Sequence, residues 1–292
     1  MSTQVAGGAT VAADTPHGGP GPPCPSAFAD ANVFVLGTRR SGTTWLSELL
    51  LAHPDVTGAD AAEPEPGEYV PQESVMFGGM ADVWVNASRT DGEGVAAYLS
   101  PVGVAGALRA FCDRIFAAGR ARYGPRARHF IEKSPDNSKR LPLMAASHPD
   151  AWYVHIIRDG RDVARSLASV HFGPGDLAES AAEWVRDVRL VREHQWRLFR
   201  YREVRYEDLV VDPVGHAGDL LRWVGLDVDA DVTRRLSERA AKEVARYGST
   251  APSGAGKWRL LGPAEVATVL DVAGDLLGEL GYLDPAGPQG AG

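Results

Sequence analysis

Two glycines five positions apart, Gly37 and Gly42, enclose Thr38-Arg39-Arg40-Ser41 and are followed at once by Thr43, Thr44 and Trp45. Glycines at this spacing allow a turn whose backbone N–H groups point at one spot, where an anion is stabilised. The loop that grips nucleoside triphosphates reads GxxxxGK[ST], with Lys directly after the second glycine. Here Thr43 holds that place, and the positive charge precedes the glycine, at Arg39 and Arg40. The pattern predicts a phosphate cradle, but not that of a standard ATPase. Cys24 and Cys112 are the two cysteines of the chain. They show no metal-ligand spacing, so no metal site is expected.

Such a cradle needs a strand before it and a helix after it. Val33-Phe34-Val35-Leu36 is a short unbroken apolar run, as in a buried parallel strand. Trp45, Leu46, Leu49 and Leu50 then recur at helical spacing, predicting a helix over 43–52 that ends at His53-Pro54. Residues 54–92 are rich in Pro, Gly, Glu and Asp without sustained periodicity, and read as a long functional loop. A helix is predicted over 102–121, with Val104, Leu108, Phe111, Ile115 and Phe116 on one side. Residues 129–131 read as a short strand, 138–147 as a helix, and 152–157 as a second buried strand. Asp159 can cap the next helix, and a longer one carries Leu177, Ala181, Trp184, Val188 and Val191 at steps of three and four. A strand over 203–206 follows, then helices from Val214 and Ala230, then a last helix opened by Pro263 and running to about Leu280. Strands alternating with helices predict an α/β protein with a mostly parallel central sheet flanked by helices and joined by right-handed crossovers.

The 292 residues suffice for one large α/β domain. A composition of 44% hydrophobic and 23% charged residues is ordinary for a globular protein. With 30 basic against 38 acidic residues, general nucleic-acid binding is not expected, although a local anion site is compatible. No apolar run approaches a membrane span. The N-terminal stretch lacks the basic and apolar regions of a signal peptide, and the cysteine content gives no sign of an oxidising compartment. A cytoplasmic location is therefore expected, with no membrane partner. Residues 1–28, dominated by Gly, Pro, Ala and Thr, read as a disordered leader. Residues 29–285 are expected to form a single domain and 286–292 a flexible tail.

The run Arg40-Ser41-Gly42-Thr43-Thr44-Trp45 resembles the 5′-phosphosulfate loop of sulfotransferases that use 3′-phosphoadenosine 5′-phosphosulfate (PAPS). Arg158, with Ser166 eight positions on, resembles a second signature of that family. Tyr206-Glu207-Asp208-Leu209 is similar to its Y-E-D-L/M turn, and Lys257-Trp258-Arg259 to its C-terminal G-x-W-[KR] segment. All four occur in the family's order across residues 31–260. The resemblance implies a P-loop NTPase-like sulfotransferase fold and transfer of a sulfuryl group from PAPS to a hydroxyl of a small-molecule acceptor, leaving adenosine 3′,5′-bisphosphate.

It also implies roles. The 5′-phosphosulfate would lie on the amides of residues 41–44, with Arg39, Arg40 and the hydroxyls of Ser41, Thr43 and Thr44. The 3′-phosphate would lie between Arg158 and Ser166, under Lys257, Trp258 and Arg259. Trp45 and Tyr206 would contact the adenine. Arg40 and Lys133 would stabilise the leaving phosphate. Lys133-Ser134-Pro135 stands where cytosolic relatives carry a K-T-H run with a His base, so a carboxylate base is expected instead. Ala52-His53-Pro54-Asp55-Val56 resembles the run that precedes the acidic base of protein-tyrosine sulfotransferases. Glu63 is the first choice on that ground, with Glu65, Glu132 and Asp60 behind it and His171 as a minor candidate. Plainer readings stand beside these: Trp45 as core, His155 as a satisfied core histidine, Arg161 and Arg165 paired with Asp159 and Asp162, and Glu207 as an anchor. The rival functions are a P-loop nucleotide kinase or NTPase and a catalytically silent nucleotide-binding protein; a homodimer is left open.

Overall fold

The computed structural model describes residues 32–58, 73, 75–87, 93–247 and 255–283. The leader, the tail and the three acidic candidates Asp60, Glu63 and Glu65 lie outside the described residues. Five strands form one parallel sheet: β1 (Asn32–Leu36), β2 (Val56–Gly58), β3 (His129–Lys133), β4 (Trp152–Ile157) and β5 (Arg200–Arg205), in the order β2-β3-β1-β4-β5. β1 is central, with Val35 opposite both Lys133 of β3 and Val154 of β4. Its alternating side chains feed two cores. Val33 and Val35 pack with Leu46 and Leu49 on one face, and Phe34 and Leu36 with Phe116 and Met144 on the other. A sheet covered on both faces is what the unbroken apolar run of β1 requires.

Ten helices surround the sheet among the described residues. They are α1 (Thr43–Leu50), α2 (Met76–Ala87), α3 (Pro101–Tyr123), α4 (Leu141–Ser147), α5 (Gly160–Ala168), α6 (Leu177–His194), α7 (Tyr206–Val211), α8 (Pro213–Trp223), α9 (Ala230–Tyr247) and α10 (Pro263–Glu279). The central sheet and the alternation agree with the sequence reading. Three particulars differ. The 54–92 segment holds a strand, β2, and a helix, α2, where no element was expected. The inner face of α3 runs through Val104, Cys112 and Phe116, whereas Phe111 and Ile115 are exposed, because α3 turns only a narrow stripe toward Phe34 and Phe130. The stretch expected as one helix over 138–147 is a 3₁₀ turn, Pro135–Arg140, followed by α4.

The order of strands reverses around β1: the connection that leaves β1 runs to β2 on one side, and the one that leaves β3 crosses to β4 on the other. Ligands in open α/β sheets bind outside the carboxyl ends of the strands at such a point. The turn after β1, Lys133 at the end of β3 and Arg158 just after β4 all meet there.

Candidate active site

Gly37 leaves β1 in a place with no room for a side chain. A Cβ there would lie 2.9 Å from the Ile156 carbonyl and side chain, and its N–H donates to Ser138 Oγ at 2.9 Å. The turn then closes through Ser41 N–H donating to the Thr38 carbonyl at 3.0 Å, with Arg40 held at φ 71°. Gly42 sits at φ 98°, where a Cβ would lie 2.6 Å from the Tyr206 ring. It is the cap residue of α1 and offers no side chain to the first turn, so those N–H groups stay open to an anion. Thr43, Thr44 and Trp45 line the cavity in front of them. Ser41 corrects the expectation for the loop: its N–H is used in the turn and its side chain lies outside the cavity wall, buried.

The second cationic set gathers where α5 and the C-terminal segment approach this turn. Arg158 donates through Nη1 to the Arg40 carbonyl at 2.9 Å and stacks 4.6 Å from the centre of the Tyr206 ring. Arg40 Nε donates to Ser166 Oγ at 3.0 Å, so this guanidinium bridges the phosphate turn to α5. Arg40 was expected over the leaving oxygen; its side chain instead points to the expected 3′-phosphate residues. Arg165 and Lys257 face the same cavity. Asp159 caps α5 by accepting from Arg161 N–H at 2.9 Å, and Glu207 of α7 accepts from Asp159 N–H at 3.0 Å. The aromatic floor is Trp45, edge-on to Tyr206 at 5.9 Å between centroids.

Asp162, in the first turn of α5, holds the C-terminal segment. Its buried carboxylate accepts from Gly256 N–H and Trp258 N–H, both at 2.6 Å. Burial raises its pKa against the opposing pull of Arg158 and of these two N–H groups. Lys257 thereby faces the cavity, while Trp258 and Arg259 do not. The Trp258 ring stacks on Arg161 at 3.7 Å and on Arg259 at 4.8 Å, so both side chains fasten the segment rather than line the site.

At the end of β3, Lys133 is buried and donates to Glu73 Oε1 at 3.1 Å. Glu73 lines the cavity and covers Lys133 from that side. It gave no signal in the sequence, because it belongs to no motif and sits in a Pro/Glu-rich stretch of like residues. Glu132 is occupied elsewhere: it accepts from Ser134 Oγ at 2.7 Å and from Asn137 Nδ2, buried beneath the turn. That removes it from the cavity wall. His155 is fully buried against the Tyr201 hydroxyl at 2.9 Å, and burial pulls its pKa down to about 4. His171 is exposed and stacks edge-on with Phe172.

The cavity itself measures about 610 Å³, within the range of small-molecule clefts. Cationic and N–H donors occur in two sets, the α1 terminus and the Arg158-Ser166-Lys257 cluster, with the Trp45–Tyr206 pair in the same wall. Such a site fits a ligand that carries two anionic groups beside a flat ring system. Among the described residues no helix is long and apolar enough to cross a membrane.

Comparison with known proteins agrees with that geometry. Protein-tyrosine sulfotransferase 1 of Danio rerio is 23% identical over 279 residues, covering 89% of this chain and 74% of that protein. Nodulation protein NoeE of Sinorhizobium fredii is 26% identical over 283 residues, covering 85% of this chain and 65% of that protein. The fold is similar to the sulfotransferase domain of the Synechococcus PCC 7002 olefin synthase, with a TM-score of 0.55 at 22% identity across 92% of this chain and 98% of that one. Residues 32–230 match the model of the sulfotransferase family, and the chain belongs to that family: it is an enzyme of sulfuryl transfer.

Proposed function

We propose that the sulfuryl donor is PAPS and that the acceptor is a hydroxyl of a small molecule, with a cytoplasmic site of action. The observation that carries this is the convergence of Arg158, Ser166 and Lys257 on one cavity with the open N-terminus of α1. A donor with phosphate at both its 3′ and 5′ ends needs both sets, whereas ADP or ATP leaves the first without a partner. PAPS supplies a sulfuryl group on a phosphate that leaves readily.

The residues of the chain hold, orient and move a proton. First-turn N–H groups of α1 and the hydroxyls of Thr43 and Thr44 hold the 5′ end, while Arg158, Ser166 and Lys257 hold the 3′-phosphate. Arg can bond two phosphate oxygens at once through its planar fork, which suits Arg158 to that place. Arg40, between the two sets, spreads positive charge toward both. Trp45 and Tyr206 give the adenine an aromatic surface.

The base is a carboxylate. Glu63 is favoured by the sequence, and Glu73 by its position in the cavity wall on the Lys133 ammonium. A carboxylate there can take the acceptor proton while Lys133 offsets the charge that develops beside it. Replacing the true base by Gln is expected to lower kcat by about 10²–10⁴-fold with little change in nucleotide affinity. The measurement is release of adenosine 3′,5′-bisphosphate from PAPS across a panel of phenols and alcohols, for the wild type, Glu63→Gln and Glu73→Gln. Turnover unchanged in both variants contradicts a carboxylate base at either position.

A further inference from the structure

Arg39 belongs by sequence to the phosphate turn and lines the cavity, yet its guanidinium is held by α6 and the segment before it. Nε and Nη2 donate to the Glu183 carboxylate on α6 at 2.8 to 3.1 Å, and Nη1 donates to the Phe172 carbonyl at 3.0 Å. All three nitrogens are thus engaged. Glu183 is buried and also accepts from Lys139 Nζ at 3.0 Å, and Lys139 in turn reaches Asp136 at 3.1 Å. Burial alone would raise the Glu183 pKa, but Arg39 and Lys139 outweigh it and hold the carboxyl below its usual range. One end of this chain of charges is the donor turn. The other end is Asp136, in the 3₁₀ turn after β3, while the bond from Arg39 to the Phe172 carbonyl reaches the connection between α5 and α6.

That connection carries Phe172, which is 47% exposed and lines the cavity, its ring 5.9 Å from the Arg39 guanidinium. Trp45 and Tyr206 pack on each other beside Arg158 and suit the donor ring. The apolar surfaces left for an acceptor are Phe172, Pro135 and Val75.

We propose that Arg39 is a positioning residue rather than a donor ligand. Through Glu183 and the Phe172 carbonyl it couples the phosphate turn to the 169–176 connection, so that donor binding fixes Phe172 as a wall for an acceptor with a planar or apolar face. This rests on the donor reading above.

The test uses the full chain and adenosine 3′,5′-bisphosphate as the probe. Calorimetry gives its affinity, and hydrogen exchange gives the protection of the 170–176 amides with and without it. In the wild type the nucleotide is expected to slow exchange of those amides by about tenfold or more. Arg39→Ala and Glu183→Gln are expected to abolish that response while weakening the nucleotide by only about threefold to fivefold, and their effects should not add. Arg40→Ala, by contrast, should weaken it by about tenfold or more. The charge-reversed pair Arg39→Glu with Glu183→Arg should regain part of the response that each single change loses. Arg39→Lys keeps the charge without the fork and should respond in between, which covers the case in which the Ala variant does not fold.

The inference is overturned if Arg39→Ala costs as much nucleotide affinity as Arg40→Ala while Glu183→Gln costs none, or if the 170–176 amides do not respond in the wild type. A wild type that prefers ADP to adenosine 3′,5′-bisphosphate defeats the donor reading instead, and is recognised as such before any variant is compared.

Discussion

In the proposed donor site Arg158 is expected to bear most of the discrimination between donors, because ADP has no 3′-phosphate to place beside it. Charge-assisted hydrogen bonds contribute about 1.5–3 kcal/mol each, or roughly tenfold to hundredfold in affinity. Arg158→Ala should therefore weaken adenosine 3′,5′-bisphosphate by that factor and leave ADP nearly unchanged, as read by competition between the two nucleotides. A parallel loss for both would assign Arg158 to the turn through its bond to the Arg40 carbonyl. The motif residues were legible singly, yet their partners were not. Arg39, Trp258 and Arg259 looked like ligands by type and order, and the structure gives them Glu183, Arg161 and the Trp258 ring instead. A guanidinium is equally suited to a phosphate and to a carboxylate, and the carboxylate of Glu183 lies 144 positions away in the chain. Local sequence cannot choose between them.

At the scale of elements, Asp162 is the clearest device. Its two bonds to backbone N–H groups fasten residues 256–258 to α5, so that Lys257 faces the cavity. Asn keeps the size but offers a single acceptor oxygen. Asp162→Asn is expected to raise the dissociation rate of adenosine 3′,5′-bisphosphate by about tenfold in stopped-flow release, with a smaller effect on association. Equal slowing of association would place the change in the site itself rather than in the segment above it. The elements that form this site were mostly visible in the sequence. β1 and β4 are continuous apolar runs, and α6 keeps its three-and-four spacing. β2 and α2 were not visible. β2 is three residues long, and α2 carries Gly78 and Gly79 near its start, which masks helical periodicity. The Phe111 and Ile115 face of α3 was misassigned for another reason: periodicity reports a stripe of apolar residues, not which part of it the sheet covers.

Across the whole molecule, the parallel sheet brings groups from distant segments into low-dielectric contact behind the phosphate turn. Asp187 of α6 is buried there beside Lys139, Glu183, Asp136 and Thr38, and burial pushes its pKa from 3.8 up to about 7. The native carboxyl keeps its proton up to that pH, whereas the unfolded one loses it near 3.8. Between these values the native state binds more protons than the unfolded state, so this group makes stability fall as pH rises. Asp187→Asn removes the titration. Its stability relative to the wild type should increase between pH 4 and about 7 and then level off, measured by denaturant unfolding across pH. A difference that stays constant with pH would show that Asp187 is already ionised in the fold.

The same arrangement places one family's chemistry at one end of the sheet, and the donor is where it can be tested with least ambiguity. Calorimetry of the full chain with adenosine 3′,5′-bisphosphate and with ADP asks whether the Arg158-Ser166-Lys257 cluster is a phosphate site. The bisphosphate is predicted to bind more tightly by about tenfold or more, as one charge-assisted contact requires. ADP binding as tightly or more tightly would contradict the account.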